Sequence, residues 1–214
     1  LDTISKSTKK KIKISYENEK YFIQKFGKNI SHQGIAIKTS LLPVKSIKDF
    51  LIKTKNIKSA LAIIPFKVND PHNLGAILRS AAAFDIKYCL LSKKNSAREN
   101  QTVAKVSSGG IDNISFYYLD NLSSSLKVLK ENNWFVIALD STAEIKIKDI
   151  KSYFEKDDKI IIIVGSENKG LNNIILNNCD YKVNIPINKE NMESINVSCA
   201  SAIAFYELSK FNKK

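Results

Sequence analysis

The chain has 214 residues, 43% of them hydrophobic, which is enough for a real core and excludes global disorder. Its formal net charge of +13 points to a polyanionic partner, with nucleic acid ahead of membrane. Three widely spaced cysteines (Cys89, Cys179, Cys199) and two histidines make a poor supply for a disulfide framework or a zinc site, so buried free thiols and no metal are expected.

No apolar run approaches the roughly 18 residues of a membrane span, and no apolar leader is visible. The expectation is a soluble, cytoplasmic protein with no membrane contact. The charge is unevenly placed. Residues 1–60 hold fourteen Lys against Asp2, Glu17, Glu19 and Asp49, a net of +10, and the remaining 154 residues carry +3. Only two arginines, Arg79 and Arg98, occur among the 34 basic residues. Where Lys is the default, an Arg points to a need for the planar five-donor fork.

In chain order, residues 1–30 form a basic segment. An amphipathic patch at 16–26, with Tyr21, Phe22 and Phe26, predicts a short helix with Gly27 as its C-cap. Ser31 to Ile37 reads as a polar turn running into a short strand, and 49–55 as a short helix. Residues 31–58 act as a linker, and regular alternation begins at 59. Strands are predicted at 60–66, 87–91, 114–119, 134–139, 160–164 and 181–185. Helices are predicted at 73–84, 101–107, 122–132, 147–154, 172–177 and 194–210, with Gly109-Gly110 stopping the second. Asn73 and Ser194 read as helix caps. Alternating βα units over 59–214 imply an α/β fold, a mostly parallel sheet with helices on both faces.

Two places concentrate chemistry. The first is the exit of the first strand, where Asp70-Pro71-His72-Asn73 enters a helix that carries Gly75 and Arg79. Gly75 costs about 1 kcal/mol against Ala in a helix, so it answers a need for close packing or ligand approach. The second place is 160–198. There the apolar run Ile160 to Val164 ends in Gly165-Ser166-Glu167-Asn168-Lys169-Gly170, and a second strand-and-loop unit leads to Glu193-Ser194-Ile195-Asn196-Val197-Ser198. Gly-rich loops at strand C-termini suit a ligand. No dinucleotide fingerprint and no P-loop is present.

The blocks DPHNLGAILRSAAAF, VGSENKGL and IPINKENMESINVSCASAIAFYEL resemble, in order and spacing, the three motifs of the SpoU-type (TrmH-like) RNA 2′-O-ribose methyltransferases of the SPOUT superfamily. The resemblance covers roughly 59–210. The His32-Gln33-Gly34 segment is similar to the linker that follows a small RNA-binding domain in the rRNA guanosine members. Two positions depart from the pattern: Asp85 stands where a Gly is usual, and Ile195 where a Leu is usual.

The resemblance implies a C-terminal deep trefoil knot, a homodimer, and S-adenosyl-L-methionine as cofactor. It implies that Gly165, Ile185 and Ile195 line the adenosine pocket. The resemblance assigns Arg79 the activation of the ribose hydroxyl. A guanidinium has no acceptor for the proton, so Arg79 reads instead as a charge-assisted donor steadying the nascent alkoxide or the adjacent phosphate. Asn73, Glu167, Ser194 and Asn196 would hold ribose and Arg79 in register. The substrate implied is RNA, a guanosine of large-subunit rRNA ahead of a tRNA guanosine. A catalytically silent RNA-binding protein of this fold, or a nucleotide-binding α/β protein unrelated to RNA, would share much of the pattern. Binding of S-adenosylmethionine separates these from the enzyme.

The uneven charge generates a prediction. Deleting residues 1–30 removes eight Lys and three acids. RNA affinity should fall and its salt dependence flatten, by about 0.7 in log–log slope for each single-strand phosphate no longer neutralised. Filter binding across a salt series measures it, and an unaltered slope would place RNA recognition on the rest of the chain.

Overall fold

A computed structural model describes residues 13–28, 33–40, 42–43, 45–93, 100–166 and 170–209. They fall into two compact units, Leu1–Ser40 and Leu41–Lys214.

In the first unit, helix α1 spans Glu19–Phe26. Asn18 caps it, its Oδ1 accepting the Tyr21 N–H at 3.0 Å. Gly27, at φ +90°, closes it as expected. The helix buries no residue. The strand expected at the end of 31–37 is not formed. Ile35 and Ile37 lie in irregular chain, 63% and 84% exposed. A strand needs a neighbour for its main-chain groups, and no strand is present among this unit's described residues. Ser31 and His32 fall outside the described residues.

The second unit is a seven-stranded parallel sheet. Its strands are β1 (Ala60–Pro65), β2 (Tyr88–Ser92), β3 (Ser115–Leu119), β4 (Trp134–Leu139), β5 (Ile145–Lys146), β6 (Lys159–Val164) and β7 (Tyr181–Asn184). The order is β3-β2-β1-β6-β4-β7-β5. Strand β6 lies between β1 and β4, in register from Leu61↔Ile160 to Pro65↔Val164 on one side and from Phe135↔Ile160 to Ala138↔Ile163 on the other.

Helices cover both faces. They are α2 (Ile47–Thr54), α3 (Pro71–Ala83), α4 (Gln101–Ser107), α5 (Leu122–Glu131), α6 (Asn173–Leu176) and α7 (Val197–Ser209), with a 3-10 helix at Ile147–Tyr153. Alternate strand residues feed two cores. Ile63, Cys89, Ile137, Ile160 and Ile162 meet α3 and α7 through Leu74, Ile77, Ala204 and Phe205. Ala62, Leu90, Val136, Ile161 and Ile163 meet α2 and α5 through Phe50 and Leu126. Burial on both faces is why the strands read as unbroken apolar runs. Phe50 anchors the second core, its ring 4.9 Å from Trp134 and 5.1 Å from Tyr117.

Two helix starts differ from expectation. Helix α3 begins at Pro71, and its cap is Asp70, whose Oδ1 accepts the His72 N–H at 2.8 Å. Proline fits the first helical position because that N–H needs no partner. Asn73 therefore lies within the first turn and does not cap. Helix α7 begins at Val197. Asn196 caps it, accepting the Ser198 N–H on Oδ1 at 2.8 Å and the Ala200 N–H on its carbonyl at 3.0 Å. Ser194 lies before the helix, exposed, and does not cap it. The two-residue β5 was not expected, being too short to show a period. Of the cysteines, Cys89 is buried and Cys179 partly so, but Cys199 is exposed on α7. Desolvation, the larger cause, and the nearby Asp180 charge push the Cys179 thiol up to about 12.

Gly75 answers a packing need. A Cβ there would lie 2.7 Å from Val106 Cβ, so α3 and α4 approach as they do only without it. Asp85 adopts φ +59°, the left-handed conformation in which Gly carries no penalty. Opposite signs follow for two substitutions. Gly75→Ala should lower unfolding free energy by about 1–3 kcal/mol through overpacking. Asp85→Gly should raise it by about 0.5 kcal/mol, net of a larger unfolded-state entropy. Urea midpoints at constant m-value check both.

Candidate active site

The parallel sheet presents the ends of β1, β6, β4 and β7 side by side at its C-terminal edge. From β1 the chain winds outward to β2 and β3, and the later strands lie on the other side. Ligands of open α/β sheets bind outside the carboxyl ends at such a reversal. Here β6 fills the reversal, and its exit loop lies at the centre of the edge.

That loop doubles back at once. Ser166 and Gly170 form an antiparallel bridge, with the Gly170 N–H donated to the Ser166 carbonyl at 2.9 Å. A Cβ at Gly165 would sit 2.4 Å from the Gly170 carbonyl carbon and 2.8 Å from the Leu171 nitrogen. Gly165 is thus required by the chain's own main chain crossing over it. Glu167 lies outside the described residues.

The exits of β4 and β7 are laced together. The Asp140 N–H donates to the Val183 carbonyl at 2.9 Å, Asn184 Nδ2 donates to the Ala143 carbonyl, and Lys189 Nζ donates to the Ser141 carbonyl at 3.3 Å. Ile185 is partly buried against the first core, and Ile195 is partly buried just before the fully buried Val197.

Helix α3 packs against α7, and Phe84 meets Tyr206 edge-on at 6.1 Å. At their N-terminal ends Asn196 Nδ2 donates to Asn73 Oδ1 at 3.0 Å, across 123 residues of sequence. Arg79 lies on the exposed side of α3, about 9 Å further along the axis at 1.5 Å per residue. No ion pair holds it among the described residues. Asn73 and Asn196 are therefore brought into contact, Arg79 shares a helix with Asn73, and Ser194 sits two residues before Asn196.

Ser198, inside the stretch picked out from the sequence, was given no role there. Its hydroxyl donates to Asn196 Oδ1 at 2.6 Å. An Asn followed two residues later by Ser at a helix start is a capping pattern that could have drawn notice. Among the described residues no group of three or more His, Cys, Asp or Glu side chains comes together to hold a metal.

The family model described as "SpoU rRNA Methylase family" matches residues 60–206. The chain belongs to the SpoU rRNA methylase family. A tRNA/rRNA methyltransferase of uncharacterised activity from Borreliella burgdorferi is 32% identical, over 88% of this chain and 83% of its own. The 23S rRNA (guanosine-2′-O-)-methyltransferase RlmB of Blochmanniella floridana is 34% identical, over 83% and 68%. The fold is shared with solved structures. One is the TrmH/SpoU tRNA modifying enzyme of A. aeolicus, at TM-score 0.60 and 21% identity, over 78% of this chain and 84% of that one. Another is the SpoU methyltransferase AviRb of Streptomyces viridochromogenes in complex with AdoMet, at TM-score 0.59 and 20% identity, over 72% and 60%.

The residues at the edge suit an adenosine-bearing cofactor. Ile185, just after β7, and Ile195, two residues before α7, are partly buried apolar residues, and neither carries a charge that a covering ring would strand.

The loop geometry predicts unequal effects of two glycine changes. Gly165→Ala meets main chain at 2.4 Å, whereas at Gly170 a Cβ meets nothing and only its φ of +55° opposes substitution. Gly170→Ala should cost about 1 kcal/mol, and Gly165→Ala about 3 kcal/mol with a displaced loop. Thermal unfolding ranks them.

Proposed function

We propose that this chain is an S-adenosylmethionine-dependent RNA methyltransferase acting on a ribose 2′-hydroxyl, and that its substrate is a guanosine of large-subunit rRNA. The carrying observation is the Asn73–Asn196 contact. It joins the first and third sequence blocks at the sheet's C-terminal edge. The guanosine and rRNA assignment is supported by the 34% identity to RlmB.

When bound, S-adenosylmethionine would supply an electrophilic methyl group carried on a sulfonium. Gly165, Ile185 and Ile195 would hold its adenosine, mainly through main-chain groups. Arg79 acts as a charge-assisted donor toward the ribose oxygen or its neighbouring phosphate. A guanidinium offers donors and no acceptor, so the hydroxyl proton passes to another group. Asn73, Asn196, Ser194 and Glu167 position ribose and Arg79, which lowers the orientational barrier. The basic residues 1–30 add phosphate contacts, in the manner of a reduced RNA-binding domain. The catalytic part begins before 59, because α2 within 31–58 packs Phe50 into the second core. The strand β6 inserted between β1 and β4 supports a C-terminal knot, and the setting is cytoplasmic.

The chain works as a homodimer in this reading. Helix α7 is largely apolar, yet Ile203 and Tyr206 remain 38% and 52% exposed, beside exposed Cys199. A helix of that character is ordinarily covered.

Arg79→Lys keeps the charge and loses the fork. Methyl transfer to rRNA should fall about 100-fold, while calorimetric affinity for S-adenosylmethionine stays unchanged. Wild-type turnover in that variant would remove Arg79 from the chemistry. No cofactor binding at millimolar concentration would end the methyltransferase reading.

A further inference from the structure

A carboxamide has two ends of similar shape and opposite hydrogen-bonding character, so its usefulness depends on which end faces the site. Asn196 Oδ1 accepts two hydrogen bonds from one residue, from the Ser198 N–H at 2.8 Å and from the Ser198 hydroxyl at 2.6 Å. With the oxygen turned to Ser198, Nδ2 is turned to Asn73, whose Oδ1 accepts at 3.0 Å. A flipped amide would set its NH2 against two donors and its oxygen against an acceptor, breaking all three hydrogen bonds at once.

The other serines of α7 behave differently. Ser201 Oγ donates to the Val197 carbonyl at 2.7 Å and Ser209 Oγ to the Tyr206 carbonyl at 3.2 Å, each back into its own helix. Ser198 lies at the second helical position, ahead of the first helical carbonyl it could reach, and its hydroxyl is directed at the cap. Capping needs only the Ser198 main-chain N–H, which any residue but proline supplies at that position. The hydroxyl is surplus to the cap, and its one described partner is the Asn196 oxygen.

We propose that Ser198 is a positioning residue of the methyl-transfer site: its hydroxyl locks the Asn196 carboxamide with the Nδ2 edge toward Asn73. This rests on the methyltransferase reading for the role of Asn196. The Ser198 hydroxyl touches neither ribose nor cofactor. It acts through Asn196, adding a third hydrogen bond to the one amide orientation that the Ser198 N–H and Asn73 also favour.

Ser198→Ala removes the hydroxyl and keeps the capping N–H, so the helix start survives. Two measurements on the whole chain test the proposal. In steady-state methyl transfer, Ser198→Ala should lower kcat about ten-fold, the worth of one hydrogen bond. KM for S-adenosylmethionine should not change, and Ser198→Thr should restore the rate. In 15N spectra, the Asn196 side-chain amide pair, assigned by its loss in Asn196→Asp, should broaden or shift in Ser198→Ala and return in Ser198→Thr. An unchanged kcat with an unchanged amide pair overturns the proposal. So does a Ser198→Thr variant as slow as Ser198→Ala, because the hydroxyl is then not the cause. If the wild-type chain transfers no methyl group, the methyltransferase reading fails, and the amide spectra still decide whether Ser198 orients Asn196.

Discussion

The structure depends on the accommodation of β6. Lys159–Val164 carries five consecutive β-branched residues, and all five are buried. Such a strand must find main-chain partners on both edges and apolar cover on both faces, because unpaired N–H and C=O groups in that environment would each cost about 1–3 kcal/mol. The chain meets this by seating β6 between β1 and β4, two strands of the same length. Once β6 is there, its exit loop must emerge between the ends of β1 and β4, at the centre of the C-terminal edge. The position of the candidate site is a consequence of strand pairing.

Crowding at that edge explains the small residues. Gly165 lies under the main chain of Gly170 and Leu171, and the β4 and β7 exits share hydrogen bonds that would otherwise go to solvent. A comparable pressure acts between helices at Gly75, where Val106 occupies the space a side chain would need. These glycines permit approach of protein to protein. The Asn73–Asn196 contact is of another kind. One neutral hydrogen bond between exposed groups contributes only about 0.5–1.5 kcal/mol, a minor part of stability. Its importance is geometric: it ties the beginnings of two helices that the two cores already hold side by side.

Much of the fold was legible in the sequence. The continuous apolar run at 160–164 identified a strand buried on both faces, and 101–107 and 134–139 match the observed elements residue for residue. Misreadings cluster where local chemistry competes. Asparagine suits a cap, so Asn73 reads as one, but Asp70 followed by Pro71 suits the role better. Ser194 lost the same competition to Asn196. Ile35 to Ile37 alternates as a strand should, yet it has no strand beside it to pair with among the described residues of its unit. The three sequence blocks picked out the candidate site, Ser198 among their residues, but gave Ser198 no role because that role lies in the direction of one hydroxyl.

By itself the sequence determined the periodicities, hence the βα alternation, and the residue types available for chemistry: a rare arginine, two asparagines, a glycine loop. These follow from local rules of burial and capping that act over a few residues. Tertiary structure alone decided which strand lies between which, and so which loops meet. It also decided that residues 73 and 196 touch and which way the Asn196 amide faces. Those outcomes depend on pairing and packing between segments more than a hundred positions apart, where no local pattern records which partner will be found.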